Sequence, residues 1–463
     1  QRFEAAGDHF LLSETAALLA PQTLALVATP DLRSASLGAD YVMIGPSDFL
    51  VAAQPLLDQR AAEGLRVQTV DIQDIFDQFA GGHREPQAIR DFLTYAYFHW
   101  QPPAPTYVVL LGDGHYDFRN DTGYNLPNPI PPYLAPIDPY IIETVTDNAL
   151  VSVDGPHDIL PDMTVGRLPA NTVQHVQDMV AKILAYQWAP GGNWQREIAY
   201  VADNQPDPGG GGNFHDISNE IRFNWLTDEM AAQPIYTLAP GYPNYTAVRA
   251  ANLAALGDGQ LMMHWFGHGS KWRWGYSGSV RPLGVLDQNV LPSRADLPLI
   301  LEWGCWTGYF ILIEPPTSTW PMYSFGEMLM KTPGKGGIAD ISATGAHTAL
   351  PLQIMSHGIH QALFTQRTTR VGAAFTAMKL FYFAHAAYSL DVIDTTVLFG
   401  DPAMHLRLPQ GDLSTSSVQV SAPQIAPGAS LTLTVTLTNS SPFTVTNPRL
   451  VAAYPPDLTT VIN

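Results

Sequence analysis

Short apolar runs alternate with amphipathic segments from Tyr41 to Leu408. The runs DYVMIG, LRVQTVD and TYVVLLG have the length of strands, and segments such as REPQAIRDFLTYAYFHW have the apolar spacing of helices. Strands that are apolar on both faces and separated by helices are typical of parallel sheets covered by helices on both sides. The pattern therefore predicts an α/β protein with two adjacent units, each built on a largely parallel sheet.

Two changes of composition divide the chain. The Pro- and Gly-containing stretch APGGNW separates the two α/β units, and after Pro409 the chain is rich in Thr, Val, Ser and Pro. The run SLTLTVTLTN alternates with period two, as in an Ig-like β-sandwich, but about half of a ~100-residue Ig-like domain is present, so we expect the natural chain to continue. The predicted organisation is an N-terminal extension or linker over 1–40, a first α/β subdomain over 41–190, a second over 191–408, and a partial Ig-like β-sandwich over 412–463.

Composition narrows the classes of partner. The chain has 463 residues, 46% hydrophobic content and a net charge of −19, which argues against binding to nucleic acid or to an anionic membrane surface. No stretch reaches the ~18–20 apolar residues of a transmembrane helix. Because the sequence starts at Gln1 rather than at Met, we expect a mature or truncated product.

Cys305 is the single cysteine of the chain. One cysteine excludes an internal disulfide and a zinc site built from several cysteines. Two roles stay open from this count alone: a buried, inert thiol, or a reactive nucleophile.

Polar residues follow several predicted strands directly. Asp203 follows IAYVA, His268 follows LMMHWFG and Cys305 follows LILEWG. Ligands of open α/β sheets bind beyond the carboxyl ends of the strands. A thiol needs a base such as imidazole, the imidazole needs a carboxylate, and an oxyanion needs unobstructed N–H donors. The amides of Gly269 and Cys305 would supply such donors, with Asp203 as the carboxylate.

An ordered set of motifs resembles the gingipain family of cysteine peptidases, which have a caspase-like fold of Rossmann-like α/β subdomains. The set comprises GHGS followed by tryptophan, then C-x-x-G, together with YVVLLGD, PDMTVGRLPA, GGIADISATGAHT and VLFGDPAMHL. The resemblance covers residues 41–408 in the family's order.

The resemblance implies roles for individual residues. Cys305 would be the nucleophile, His268 the base, and Asp203 the acid that orients the histidine. The amides of Gly269 and Cys305 would form the oxyanion hole, and the glycines beside His268 would leave room for the substrate backbone. Asp216 would lie at the floor of the substrate pocket, where a carboxylate would select Arg or Lys.

The sequence departs from the arginine-specific members at the substrate pocket. Phe266 replaces a small polar residue before GHG, and Trp303 replaces a small aliphatic residue two positions before the nucleophile. An aromatic lid residue expected near Ala349 is absent. We expect these changes to reshape the pocket.

Other polar and aromatic residues have structural interpretations. We expect His264 to be a core histidine, and His115 and Asp117 to belong to a hydrogen-bonded turn rather than to a metal site. Trp272 and Trp274 are expected to wall the cleft.

Three carboxylates in DGPHDILPD resemble a calcium loop only loosely, since their spacing does not fit an EF-hand. No cofactor is expected to be required; structural Ca²⁺ is the one metal considered, on Asp154, Asp158 and Asp162.

The sequence therefore predicts a secreted or cell-surface cysteine endopeptidase that acts on protein or peptide substrates, with a C-terminal region suited to surface anchoring or assembly. Two alternatives stay open: a surface-assembly protein with a vestigial peptidase domain, and a module that binds polypeptides or glycans without cleaving them.

Overall fold

The computed structural model describes residues 29–440, apart from 156–157, 206, 208–210, 276–279, 316, 387, 410–414, 422–425 and 427. Its strands are β1 (Tyr41–Gly45), β2 (Val67–Asp71), β3 (Tyr107–Leu111), β4 (Leu134–Asp138), β5 (Ile142–Val145), β6 (Thr164–Leu168), β7 (Glu197–Ala202), β8 (Ala231–Tyr236), β9 (Met262–Phe266), β10 (Gly269–Ser270), β11 (Arg273–Trp274), β12 (Leu299–Trp303), β13 (Ala339–Ala343), β14 (Thr396–Phe399), β15 (Ser417–Val420) and β16 (Leu433–Thr436). Its helices are α1 (Ser47–Ala52), α2 (Gln54–Ala62), α3 (Ile72–Phe79), α4 (Pro86–His99), α5 (Val173–Trp188), α6 (Phe214–Trp225), α7 (Tyr245–Asp258), α8 (Phe325–Lys331), α9 (Ala349–His360), α10 (Val371–His385) and α11 (Asp391–Thr395).

One sheet of ten strands runs through the α/β region, in the order β2-β1-β3-β6-β14-β13-β12-β9-β7-β8. The predicted α/β class is confirmed, but the expectation of a separate sheet in each unit is wrong. β14 lies between β6 and β13 and joins what would otherwise be two sheets. It runs antiparallel to β13 and parallel to β6, whereas the other pairs of neighbours in this sheet are parallel.

The strands of this sheet are apolar on both faces because helices cover both. In β7, Ile198, Tyr200 and Ala202 belong to a core that extends along one whole face of the sheet, beneath α5, α9 and α10. Ala199 and Val201 point to the opposite face, into a smaller core shared with α7 and α8. A third core, with α3 and α4, covers that opposite face in the first half of the sheet. Burial on both faces explains the unbroken apolar runs.

Side-chain caps set the starts of several helices. Thr172, Asn244 and Ser324 each accept a hydrogen bond from a backbone N–H in the first turn of α5, α7 and α8, respectively. The segment after β1 forms two helices, α1 and α2, since Pro55 lies in the first turn of α2 and cannot continue a preceding helix.

The C-terminal region is described only in part. β15 and β16 form an antiparallel pair, and residues 441–463 lie outside the described residues, as does most of the predicted extension over 1–40. The Ig-like β-sandwich over 412–463 and the bounds of the four predicted domains therefore stay predictions. None of the helices in the described part of the chain is long and apolar enough to cross a membrane.

Candidate active site

Three neighbouring parallel strands, β7, β9 and β12, end at the same level. Ala202 pairs with Phe266, and Phe266 pairs with Trp303, so the last residues of the three strands lie side by side. The ladder continues for one more step, because the Asp203 N–H donates to Phe266 O and the Gly267 N–H donates to Trp303 O. His268 and Cys305 each stand two residues beyond these paired ends, so the register of the sheet brings the two loops together.

The histidine loop, residues 267–269 after β9, requires glycine where it crosses the loops that follow β7 and β12. A Cβ on Gly267 would lie 2.3 Å from the Cβ of Asp203, and a Cβ on Gly269 would lie 2.7 Å from Cys305 O. These glycines therefore allow close packing of three loops. This differs from the expectation that they leave room for the substrate backbone.

A cavity of about 350 Å³ opens between these loops and the start of α9. His268 and Cys305 both line it, as the sequence predicted for the two members of a catalytic pair. The other lining residues are Tyr140, Gly211, Phe214, Phe266, Gly267, Trp303, Gly304, Trp306, Ala346, His347, Thr348, Ala349 and Leu352.

The His268 ring faces a carboxylate that sequence reasoning missed. His268 Nε2 lies 3.1 Å from Asp207 Oδ2, and the Asp207 side chain is only 2% exposed. The ring of Phe214 meets the imidazole edge-on, with centroids 5.5 Å apart.

Asp203 contacts the main chain of the histidine loop. Its Oδ2 accepts from the His268 backbone N–H at 3.2 Å, and its Oδ1 accepts from the Tyr245 hydroxyl at 2.7 Å. Burial raises the pKa of Asp203 above its ordinary value, although the hydrogen bonds from Tyr245 and from backbone N–H groups oppose that rise. Asp203 therefore contacts this loop through the backbone N–H of His268, and Asp207 is the carboxylate that faces the ring.

Cys305 is partly exposed and lies against the loop after β13. Its Sγ is 3.6 Å from the backbone oxygen of His347. Burial raises the pKa of the Cys305 thiol, and the charge of Asp138 acts in the same direction, while backbone hydrogen bonds lower it. The thiol form is therefore favoured at rest, and formation of a thiolate calls for a nearby base.

The amides expected to form an oxyanion hole lie next to each other. A Cβ on Gly269 would be 3.0 Å from the Cys305 backbone nitrogen. Gly269 pairs with Trp274 across β10 and β11, and the Gly275 N–H donates to His268 O, so the Gly269–Trp274 pair is of the non-hydrogen-bonded kind. The Gly269 N–H therefore points away from β11 and is not used in the hairpin ladder.

The predicted substrate-pocket residues separate into two groups. Phe266 and Trp303 line the cavity, each 1% exposed. Asp216 is exposed on the first turn of α6, where its carboxylate accepts from Gln205 Nε2 at 3.0 Å and its N–H donates to Gln205 Oε1 at 3.1 Å. Asp216 is not among the residues that line the cavity in the described part of the chain, so its predicted place at the pocket floor is not what the structure shows.

The two tryptophans expected to wall the cleft lie elsewhere. Trp274 is fully buried, stacks on Trp265 with centroids 5.1 Å apart, and donates to Glu302 Oε2 at 3.0 Å. Trp272 stacks on Trp320 at 4.8 Å. His264 is a core histidine as predicted, since it is fully buried and its Nε2 lies 2.9 Å from Ser356 Oγ.

The strand ends of the first half hold a hydrogen-bonded turn, as predicted. Asp117 accepts from the backbone N–H groups of Asp121 at 2.6 Å and Thr122 at 3.1 Å. His115 Nε2 lies 3.3 Å from Leu126 O. The turn is closed by its own side chains.

Three carboxylates converge as a calcium site would require. One oxygen from each of Asp154, Asp158 and Asp162 lies within 4.8 Å of the others. Burial raises the pKa of Asp158, and the charges of its two neighbours add to that rise. The donor set suits a hard cation, and structural Ca²⁺ at this place stays a prediction.

Sequence reasoning also missed most of the wall opposite β9 and β12, where it considered only the region near Ala349. Tyr140 and the loop 346–349 line the cavity. Asp138 holds them together, because its carboxylate accepts from the Ala346 N–H and the Tyr140 N–H, each at 2.7 Å. The only signal for the missed residues was position: Asp207 lies four residues after Asp203 in a Pro- and Gly-rich loop, and His347 follows β13 within GAHT.

Comparisons with known proteins identify the family and the fold of the chain. The model of peptidase family C25 matches residues 34–407. No curated protein matches the sequence of the chain. The complex of the pro- and mature domains of RgpB from Porphyromonas gingivalis is similar with a TM-score of 0.64 and 19% identity, covering 83% of this chain and 82% of that one.

Two further solved structures are similar. The structure of the Arg-specific cysteine proteinase gingipain R has a TM-score of 0.64 and 18% identity, over 86% of this chain and 83% of that one. A structure described as a protease has a TM-score of 0.61 and 16% identity, over 84% and 82% of the two chains. At these identities the similarity shows a shared fold.

Proposed function

The chain belongs to peptidase family C25, a family of cysteine peptidases, and we propose on that premise that it is a cysteine endopeptidase in which Cys305 and His268 form the catalytic pair. One observation carries the proposal. The in-register ends of β9 and β12 place a histidine and the single cysteine of the chain on one cavity, each two residues past a paired strand end.

The chemistry follows from the groups around the cavity. His268 takes the proton of Cys305, and the thiolate attacks the carbonyl carbon of the peptide bond. The N–H groups of Gly269 and Cys305 stabilise the oxyanion of the tetrahedral intermediate. His268 then gives the proton to the leaving amine. A water molecule, deprotonated by His268, releases the acyl group from sulfur.

Two carboxylates support the histidine in different ways in this proposal. Asp207 faces the ring and would stabilise the imidazolium that forms when the thiol loses its proton. Asp203, the residue predicted from the sequence to orient His268, would position the histidine through its backbone N–H. Both are positioning residues.

Alkylation by iodoacetamide tests the catalytic pair directly, because one cysteine makes a single mass shift unambiguous. We expect Cys305 of the full chain to react faster at pH 7 than free cysteine, and His268→Ala to slow that reaction by about 10²-fold. His357→Ala is the matched control, since His357 is partly buried on α9 and lies outside the cavity lining described. A Cys305 that reacts no faster than free cysteine, with no effect of His268→Ala, would contradict the proposal.

Hydrolysis of an unstructured protein such as casein separates the alternatives. A slowly alkylated Cys305 without hydrolysis would favour a vestigial peptidase domain in a surface assembly. Retained binding of polypeptide or glycan by the Cys305→Ala variant, with no cleavage by the unmodified protein, would favour a binding module.

Specificity and location are further parts of the proposal. Cleavage after Arg or Lys was predicted from Asp216, and the exposed position of that residue gives this prediction no support. A secreted or cell-surface location, with anchoring through the C-terminal region, rests on membership of the family. Fractionation of the producing cells, followed by detection of the chain in the medium or on intact cells, tests the location.

A further inference from the structure

We infer that the cavity selects an apolar side chain, such as Leu, Met or Phe, in the residue that donates the scissile carbonyl. This inference rests on the proposed function. Six of the lining residues have apolar side chains: Phe214, Phe266, Trp303, Trp306, Ala349 and Leu352. Among the lining residues that the structure describes, none is Asp, Glu, Lys or Arg.

The position of these six lining residues relative to Cys305 indicates that they contact the side chain of the substrate residue that donates the scissile carbonyl. The attacked carbonyl must lie on the Cys305 sulfur with its oxygen on the amides of Gly269 and Cys305. The α-carbon next to that carbonyl is one bond away, so its side chain lies against the walls beside the nucleophile. Trp303 and Trp306 flank Cys305 in the chain, and Phe266 ends the neighbouring strand.

The carboxylates nearest the cavity already have partners. Asp207 lies against His268 Nε2 and accepts from the Gly211 N–H. Asp203 accepts from Tyr245 and two backbone N–H groups, and Asp138 accepts from backbone N–H groups of the opposite wall. Between Asp207 and Gly211 the sequence contains only proline and glycine. An arginine or lysine side chain would therefore enter a cavity whose described lining has no carboxylate to pair with it, which is unfavourable in a desolvated pocket.

The apolar wall is formed before any substrate arrives. The rings of Phe214 and Phe266 lie 6.2 Å apart, and the buried His264 ring packs behind both Phe266, at 6.1 Å, and Trp303, at 6.4 Å. The paired ends of β9 and β12 fix the backbones of Phe266 and Trp303. A wall held in this way loses little conformational entropy on binding, so it favours a substrate of matching chemistry.

Peptide acyloxymethyl ketones test the inference on the full-length protein. The probes share one sequence and differ only in the residue next to the reactive group, which is Leu, Phe, Arg, Lys or Glu. The measurement is the second-order rate of labelling of Cys305, followed by intact mass. We expect the Leu or Phe probe to label about 100-fold faster than the Arg and Lys probes.

Introducing a carboxylate into the wall should change this preference. Ala349 lines the cavity at the first position of α9, where an acidic residue is compatible with a helix start. We expect Ala349→Asp to raise the labelling rate of the Arg probe at least about 10-fold. Leu350→Asp is the matched control, because Leu350 is 51% exposed and lies outside the lining described.

The outcomes separate the inference from the proposed function. If iodoacetamide shows an activated Cys305 but the Arg, Lys or Glu probe labels fastest, or all probes label equally, the proposed function stands and the inference is overturned. If iodoacetamide reacts slowly and no probe labels Cys305, the proposed function fails and the inference fails with it.

Discussion

Polar residues near the strand ends have different surroundings in the two halves of the ten-stranded sheet. In the first half, Asp113 follows β3 and accepts from Lys331 Nζ at 2.7 Å and from Asn171 Nδ2 at 2.8 Å. In the second half, His268 and Cys305 follow β9 and β12 and face a cavity. The same topological position therefore holds a buried ion pair in one half and, in the other, the cavity that we propose as the active site.

The difference between the two halves corresponds to a buried arginine in the first half and to two glycines in the second. Arg167 on β6 is fully buried and fills the space beyond the first half's strands, with bonds to both oxygens of Asp147 and to Gly112 O. Near the second half's strand ends, Gly267 and Gly269 bring backbones together and leave the amides of the loops near the nucleophile. An α/β sheet offers a site at its carboxyl edge only where side chains do not fill that edge.

The sharpest test of the comparison is removal of the nucleophile. We expect Cys305→Ala to lower peptide hydrolysis by at least about 10⁴-fold, since the acyl-enzyme can no longer form. Thermal unfolding should be nearly unchanged, because the small thiol is partly exposed. Residual activity close to that of the unmodified protein would show that the chemistry lies elsewhere.

Removal of the arginine in the first half should have the converse effect. We expect Arg167→Met to lower the free energy of unfolding by about 3–5 kcal/mol, because it leaves the buried Asp147 carboxylate unpaired. The kcat of the folded fraction should stay the same. Arg66→Met is the control: Arg66 is 38% exposed, and loss of its pair with Asp40 should cost less than about 1 kcal/mol. Equal losses in the two variants, in urea titrations, would contradict this assignment.

A methyl group on the histidine loop should affect activity more than stability. We expect Gly269→Ala to lower kcat/KM by about 10²–10³-fold, since its Cβ would press on Cys305 O and displace the oxyanion amides. Gly257→Ala is the matched control, because a Cβ there meets nothing within 4 Å. The assay is steady-state hydrolysis of a fluorogenic peptide; unchanged kinetics for Gly269→Ala would argue against the oxyanion role.

The smallest predicted effect concerns pH and two carboxyl groups beneath the site. Glu302 on β12 and Asp340 on β13 are fully buried on neighbouring strands. Burial raises the pKa of both, that of Asp340 to about 6 and that of Glu302 well above its usual range. Their protonated forms are thus favoured in the folded state. The stability they contribute is complete below about pH 4, the ordinary carboxyl pKa, and is lost as the pH rises through about 6 and beyond.

The variant Glu302→Gln keeps the shape of the protonated acid and removes its titration. We expect its melting temperature to fall less between pH 6 and pH 9 than that of the unmodified protein, by a few degrees. The exposed Glu85→Gln variant should follow the unmodified protein. Identical pH profiles for Glu302→Gln and the unmodified protein would contradict the raised pKa of Glu302.

Much of the site could be predicted because the ends of the apolar runs in the sequence mark the carboxyl ends of the strands. The runs before Asp203, His268 and Cys305 are β7, β9 and β12, and the rule that ligands bind at carboxyl ends located the cavity. The family resemblance added the pairing of His268 with Cys305. The family match supports a cysteine peptidase, without testing the individual residues.

The remainder depended on contacts between distant segments. Asp207 lies in a loop without periodicity, so nothing in the sequence tied its carboxylate to the ring of His268. Trp274 was expected to wall the cleft, but the buried Glu302 acceptor and the Trp265 ring draw it into the core. Asp216 lies in the helix after β7, yet Gln205 holds it at the surface.

The position of β14 has a consequence for the order in which the protein forms. This strand, Thr396–Phe399, is the last of the α/β region in the chain and lies at the middle of the sheet. A ribosome has therefore made both halves before it makes the segment that joins them. Until that segment is released, β6 and β13 are open edges, and the growing chain depends on protection from mispairing. We expect truncation before Thr396 to yield two sheets whose exposed edge strands can pair with other chains, rather than a smaller active protein.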